Sequence, residues 1–203
     1  MKILVTGAGG FIGQILIPRL IKSGHEVVAS SRNTDLGSTG AAVHPIVELG
    51  PNTDWGFALN KVETVIHLAA KAHVMTNNVS NPIAEYRRIN AEATVKLAND
   101  AAKAGVRHFI FMSTIKVNGE TSGLMPFRAQ DIPAPIDPYA IAKHEAEEAL
   151  LKTAHHSNMR ATIVRPPLVY GPGVKGNFIS LLKICGKGWP LPFASIVNRR
   201  SII

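Results

Sequence analysis

The sequence predicts an α/β fold, a doubly wound parallel sheet with helices on both faces, and three observations carry that prediction. Short β-rich apolar runs alternate with stretches of helical spacing along most of the chain. Those runs are continuously apolar, as strands buried on both faces are. A glycine-punctuated turn joins the first run to the first helical stretch. Composition agrees: with 203 residues, 46% hydrophobic and 18% charged, the chain can bury a full core without staples.

Residues 2–5 (KILV) form the first predicted strand, followed by the glycine turn. Residues 11–22 have helical spacing, with Ile12, Ile15, Leu16, Arg19 and Leu20 towards one side, and Pro18 should bend that helix. Ser23-Gly24 stops it, and residues 26–29 begin a second strand. Residues 32–42, rich in Ser, Thr, Gly and Asn, are predicted as loop. Residues 64–68 (TVIHL) are a buried strand. A single long helix is expected over 82–104, with Ile83, Tyr86, Ala93, Leu97 and Ala101 near one face and Gly105 as its stop. A strand follows at 108–112. Asp137 is the expected N-cap, and Pro138 the first turn, of a helix reaching about residue 152. The last regular strand is 161–164. Beyond Arg165 the chain is rich in Pro and Gly, and it stops at Ser201-Ile202-Ile203 within what reads as the start of a strand. The predicted division is therefore 1–165 and 166–203.

Several function classes are disfavoured. The net charge of +8 invites a nucleic-acid reading, but basic residues come singly or as pairs (Arg87-Arg88, Arg199-Arg200), and only 6% of residues are aromatic. A pocket for a phosphorylated small molecule fits the same charge. No apolar run approaches the ~20 residues that span a bilayer, so no membrane partner is expected and a cytoplasmic location is the default. The single cysteine, Cys185, excludes a disulfide framework; it has no local motif and reads as a small buried apolar residue. No His or Cys spacing is that of a metal site, and no G-x-S-x-G elbow is present.

The chemistry concentrates in two places. Gly7, Gly10 and Gly13 have the spacing G-x-x-G-x-x-G between a strand and a helix. In a dinucleotide site, one such glycine allows the tight turn, one the approach of pyrophosphate, and one close helix–strand packing. The helix N-terminus offers free N–H groups to the phosphates. These features point to a Rossmann-type sheet. Tyr139 and Lys143, four apart near a helix start, share one face. A phenol acting as acid or base beside an ammonium fits that pair, the ammonium favouring the phenolate.

The wording of residues 6–13 (TGAGGFIG) resembles the opening of the extended short-chain dehydrogenase/reductase family, and Tyr139-Ala-Ile-Ala-Lys143 is similar to its Y-x-x-x-K motif. Ser113-Thr114 with Val117-Asn118-Gly119 resembles the segment bearing that family's catalytic hydroxyl. Residues 65–70 (VIHLAA), Asn90, and residues 165–173 (RPPLVYGPG) resemble further family segments. The resemblance implies Tyr139 as the base, Lys143 as its partner and Thr114 as the hydroxyl, with Ser113 structural. It implies cofactor contacts from Gly7, Gly9, Gly10, Phe11, Ile12, Gly13, Ser31, Arg32, Leu49, Leu68, Ala69, Ala70, Lys71, Asn90 and Pro166, besides Tyr139 and Lys143. In that family an acidic residue at the second strand's end grips the adenosine ribose. Here Ser31-Arg32 stand there, which favours NADP over NAD because an arginine can bind a 2′-phosphate.

Residues 68–75, 115–120 and 173–178 look most like the bacterial nucleotide-sugar 4-epimerase branch. That resemblance implies a UDP-sugar substrate contacted by Thr114, Asn177 and Arg200, a homodimer as the family's habit, and residues 166–203 as the beginning of a shortened substrate-binding lobe. The rival expectations are an NADPH-dependent nucleotide-sugar reductase and a cofactor-binding fragment without catalysis.

Overall fold

The computed structural model describes residues 1–33, 39–72, 81–174, 177–188 and 199–203, with Asn177 described by its backbone alone. Two compact units, Met1–Arg165 and Pro166–Ile203, are each described by themselves. In the first, six parallel strands form one sheet: β1 (Lys2–Thr6), β2 (Glu26–Ser31), β3 (Ala42–Pro45), β4 (Thr64–His67), β5 (His108–Met112) and β6 (Arg160–Val164). Their order is β3-β2-β1-β4-β5-β6, so the winding direction reverses between β1 and β4.

Both faces are covered because strand side chains alternate. Ile3 and Val5 of β1 join Ile17, Val27 and Ala29 in a core under helix α1 (Gly13–Lys22). Leu4 points the other way, into the larger core of Trp55, Val65, Leu97, Phe109, Phe111 and Leu150. That core lies against α3 (Ala93–Lys103) and α4 (Pro138–His155).

Four details differ from expectation. The sheet gains β3, which packs its backbone on β2 despite a nondescript sequence, while residues 32, 33 and 39–41 of the predicted loop are not helical. Helix α1 runs through Pro18 without a break; the proline is on the exposed side, where a carbonyl that loses its partner faces water. The long helix is not uniform: α2 (Pro82–Tyr86) passes into a π-helical turn, Arg87–Glu92, before α3. Finally, β6 alternates between exposed and half-buried positions at the edge of the described sheet.

In the second unit, α5 (Asn177–Gly186) is an element the sequence reading did not anticipate. Ile202 bridges in parallel to Leu168, with Ile203 N–H donating to the Leu168 carbonyl at 3.0 Å. Cys185 lies on α5 and is exposed, which corrects its reading as a buried residue. Its neighbours on that helix, from Leu181 to Gly186, are also exposed among the described residues.

Candidate active site at the strand ends

The reversal between β1 and β4 opens a crevice at the carboxyl ends of the strands, the usual ligand position in open α/β sheets. Gly7 begins it, with φ +68° and a backbone so near the β4 loop that a Cβ would stand 2.7 Å from the Ala69 nitrogen. At Gly13 a Cβ would meet the Ala8 carbonyl oxygen at 2.5 Å and that of Gly7 at 2.6 Å. Two of the predicted glycines are thus required by contact, one for turn and loop approach, the other for helix packing. Helix α1 starts at this turn with no side-chain cap and no acidic residue in its first turn. The Gln14 and Ile15 N–H groups of its first turn donate back to the Gly10 and Ile12 carbonyls, at 3.0 and 3.1 Å, and the positive end of the helix dipole still faces the turn. Gly9 and Gly10 are exposed, with Phe11 and Ile12 half-buried beside them. This cradle fits a dinucleotide pyrophosphate.

Behind the turn runs a chain of neutral hydrogen bonds that the sequence reading missed. Ala69 N–H donates to Thr6 Oγ1 (3.3 Å), which lies 2.6 Å from His67 Nδ1. On the far side, His67 Nε2 is 3.0 Å from Thr94 Oγ1, which donates to the Asn90 carbonyl at 2.8 Å. Thr94 has one proton and gives it to Asn90, so Nε2 must carry the imidazole proton and Nδ1 must accept from Thr6. Burial, then the nearby charge of Lys143, lowers the His67 pKa to about 3 and keeps the ring neutral.

Asn90, expected to touch the cofactor, is 1% exposed. Its amide is engaged elsewhere: Oδ1 accepts from Lys71 N–H (2.8 Å) and Nδ2 donates to the Lys71 carbonyl (2.9 Å). It holds the loop of Leu68, Ala69, Ala70 and Lys71 in place. The Lys71 ammonium is paired with Glu85 at 2.9 Å.

The other half of the crevice is built from charge. Asp137 caps α4, accepting from the N–H groups of Tyr139 (2.9 Å) and Ala140 (3.0 Å). Tyr139 follows, half-buried, with its ring 6.0 Å from that of Tyr86 in an edge-on arrangement. One turn on, the Lys143 ammonium is fully buried, 3.9 Å from the centre of the Phe111 ring. Burial lowers its pKa to about 7 against the opposing pull of Glu147. Thr114, half-buried at the end of β5, caps the short 3-10 turn Ile115–Val117 and leaves its hydroxyl proton free to donate. Ser113 is buried, and its hydroxyl donates to Glu147.

One expectation is corrected here. Lys143 was to lower the Tyr139 pKa, whereas the phenol is raised above its ordinary value. Its burial is the main cause, Asp137 and Tyr86 add to it, and the only opposing cation is Lys116.

The remaining predicted residues are scattered in role. Ser31 is buried, and its Oγ accepts from Asn33 N–H at 3.2 Å. Arg32 beside it is exposed. Leu49 packs in the larger core with Trp55. Pro166, half-buried, and Arg200, exposed, belong to the second unit, and the side chain of Asn177 lies outside the described residues. Glu147 is the main omission: it continues the four-residue spacing of Tyr139 and Lys143, a signal that was present in the sequence.

Fold and site together define a doubly wound α/β protein with a close-packed glycine turn after β1 and a Tyr–Lys pair at the start of α4. The model of the NAD dependent epimerase/dehydratase family matches residues 3–184, and the chain belongs to that family. It is 41% identical over 204 residues to the UDP-glucose 4-epimerase of Vibrio cholerae, covering 100% of this chain and 62% of that protein. The UDP-glucuronic acid 4-epimerase from Bacillus cereus in complex with NAD superposes with a TM-score of 0.78 at 30% identity, covering 94% of this chain and 64% of that one. MoeE5 in complex with UDP-glucuronic acid and NAD superposes with the same TM-score, 0.78, at 34% identity, covering 94% and 63%. The chain thus spans less than two thirds of the length of these relatives.

Among the described residues no helix is long and apolar enough to cross a membrane.

Proposed function

We propose that the chain carries the cofactor-binding and proton-transfer half of a nucleotide-sugar 4-epimerase that uses a nicotinamide dinucleotide and a UDP-sugar. The observation that carries this reading is the turn after β1, which has no room for a Cβ at Gly7 and Gly13, and it is supported by Thr114 standing just beyond β5 and by Tyr139 and Lys143 one turn apart at the start of α4. When bound, the dinucleotide would supply the hydride acceptor and return the hydride to the opposite face of the sugar ring. Tyr139 would move the proton at the sugar hydroxyl. Burial raises its pKa, so the phenol has to give up its own proton before it accepts that of the sugar hydroxyl, and it would return the proton to the oxygen when the hydride comes back. Thr114 would donate a hydrogen bond to the same oxygen, and Lys143 would hold the cofactor ribose. Asn177 and Arg200 are assigned to the diphosphate of the sugar nucleotide, for which an arginine fork is apt.

A reductase using NADPH is the second reading, favoured by one feature: β2 ends in Ser31-Arg32 with no carboxylate for a ribose 2′-hydroxyl, and the Arg32 side chain is exposed. Calorimetric titration with NAD⁺ and NADP⁺ separates the two. Tighter NAD⁺ binding supports the epimerase, tighter NADP⁺ binding supports the reductase, and binding of neither leaves a fragment without a competent site. Tyr139→Phe should lower UDP-sugar turnover by about 100-fold or more while dinucleotide affinity changes little. Undiminished turnover in that variant would remove Tyr139 from the mechanism.

A further inference from the structure

Glu147 is a carboxylate at 1% exposure, in the middle of α4, with hydrogen-bond partners on two other chain segments. Ser113 Oγ donates to its Oε1 from the end of β5. Arg165, just past β6, donates from Nε at 3.0 and 3.2 Å to the two carboxylate oxygens and from Nη2 at 2.5 Å to Oε2. The third guanidinium nitrogen continues the network, Nη1 donating to Asn118 Oδ1 at 3.1 Å, while Asn118 Nδ2 donates to the Arg128 carbonyl at 3.1 Å. Each anchored segment adjoins a residue of the candidate site. Ser113 precedes Thr114, Arg165 precedes Pro166, and Lys143 lies one helical turn before Glu147 on the same face. A buried ion pair of this kind contributes little net stability compared with an apolar pair of similar volume, so its value lies in specifying geometry and charge.

We propose that Glu147 is a positioning residue of this site, one that locks the Thr114 segment to α4 through Ser113 and provides the buried counter-charge for the Lys143 ammonium. The proposal rests on the functional reading above for the meaning of Thr114 and Lys143, but its physical content does not need turnover. Around Lys143 the facing groups are His67 from β4, the Phe111 ring from β5 and Glu147 from α4. His67 is neutral, leaving Glu147 as the one negative charge among these three. Arg165 partly neutralises it, and His144 Nδ1 stands 3.9 Å from its carboxylate. Glu147 therefore acts in opposition to the desolvation that burial imposes on the ammonium.

The test is NMR of the chain labelled with lysine ¹³Cε, the Lys143 resonance being assigned by its loss in Lys143→Met. In the parent chain this resonance should titrate near neutrality. In Glu147→Gln its midpoint should fall by at least about one pH unit, and in Glu147→Asp most of that shift should be recovered. Amide hydrogen exchange at residues 114–118 should accelerate at least about tenfold in Glu147→Gln, reporting release of the hydroxyl segment. If Glu147→Gln does not fold, Glu147→Gln with Arg165→Met removes both charges and carries the same two measurements. An unmoved Lys143 midpoint in a folded variant, or unchanged exchange at 114–118, overturns the proposal. Failure of the parent to turn over UDP-sugars would count against the proposed function and would leave both of these readouts interpretable.

Discussion

The two halves of the crevice are held together by opposite means. On the β1–β4 side, Thr6, His67, Thr94 and Asn90 form a relay of neutral donors and acceptors, and the glycine turn fits by shape alone. On the β5–α4 side, Ser113, Glu147, Arg165 and Lys143 are held by buried charge. Neutral hydrogen bonds and steric fit do not change between pH 5 and 9, whereas buried charges respond to every proton nearby. The half assigned to the cofactor is therefore insensitive to pH, and the half assigned to proton transfer is sensitive to it. The halves meet at Phe111, whose ring stacks on His67 at 5.7 Å and lies under the Lys143 ammonium.

The strongest way to break the comparison is to crowd the steric half. Gly13→Ala places a methyl 2.5 Å from the Ala8 carbonyl oxygen, a contact that backbone on both sides cannot relieve cheaply. Overpacking of this kind costs about 1–3 kcal/mol. Because the movement falls on the cradle itself, dinucleotide affinity should drop by about 100-fold or more, the same factor at pH 6 and pH 8. Calorimetric titration at both values checks it, and a pH-dependent loss would mean that this half is not governed by shape.

The glycine turn and the Tyr139–Lys143 pair were legible in the sequence because each is a local constraint. A Cβ has no room at two of three regularly spaced positions, and a four-residue spacing fixes a helix face. The Asp137-Pro138 helix start was legible for the same reason, its partners being two and three residues away. What escaped the sequence reading depends on distant residues. The π turn is tied down where Arg87 meets Glu145, 58 positions on, and Glu147 finds Ser113 and Arg165 at separations of 34 and 18. The direction of the Tyr139 shift depends on how deeply the ring is buried, a property of the packed fold. The exposure of Cys185 likewise depends on the packed fold and not on its residue type.

A smaller effect sharpens the neutral side. His67→Leu leaves the Thr6 and Thr94 hydroxyls short of a partner, at about 1–3 kcal/mol each for a buried unsatisfied group. The same change should alter acid stability in the opposite sense. The His67 pKa is about 3 in the folded chain against an ordinary 6.5, so the unfolded chain binds its proton first as pH falls. Its contribution to stability is complete above pH 6.5 and declines progressively towards pH 3. By pH 5 the parent should have lost about 2 kcal/mol on this account relative to pH 8, a loss that His67→Leu lacks. Urea denaturation of both chains at pH 5 and 8 measures the difference. Equal pH slopes would show the imidazole to be protonated in the folded chain and the relay to be misassigned.

The smallest expected change comes from the charged side and has the opposite sign to the usual core substitution. Lys143→Met replaces a buried ammonium by an apolar chain of similar length, giving up the Phe111 contact and the pull of Glu147 but also the desolvation cost. The lysine pKa is lowered from 10.5 to about 7 on folding. Its neutral form is therefore favoured in the folded chain, and stability is lost as pH falls from 10.5 to 7. Methionine escapes that loss. The variant should be about 1–2 kcal/mol more stable than the parent below pH 7, the advantage fading as pH approaches 10.5, while turnover disappears. Removing the cation also withdraws one of the two causes that depress His67, so the imidazole midpoint, followed by NMR, should rise. Thermal melts at pH 6 and pH 10 decide the first point. A variant less stable than the parent at pH 6 would mean that Glu147 and Phe111 more than offset the burial of the charge, and the contrast between a neutral and a costly half of the site would have to be given up.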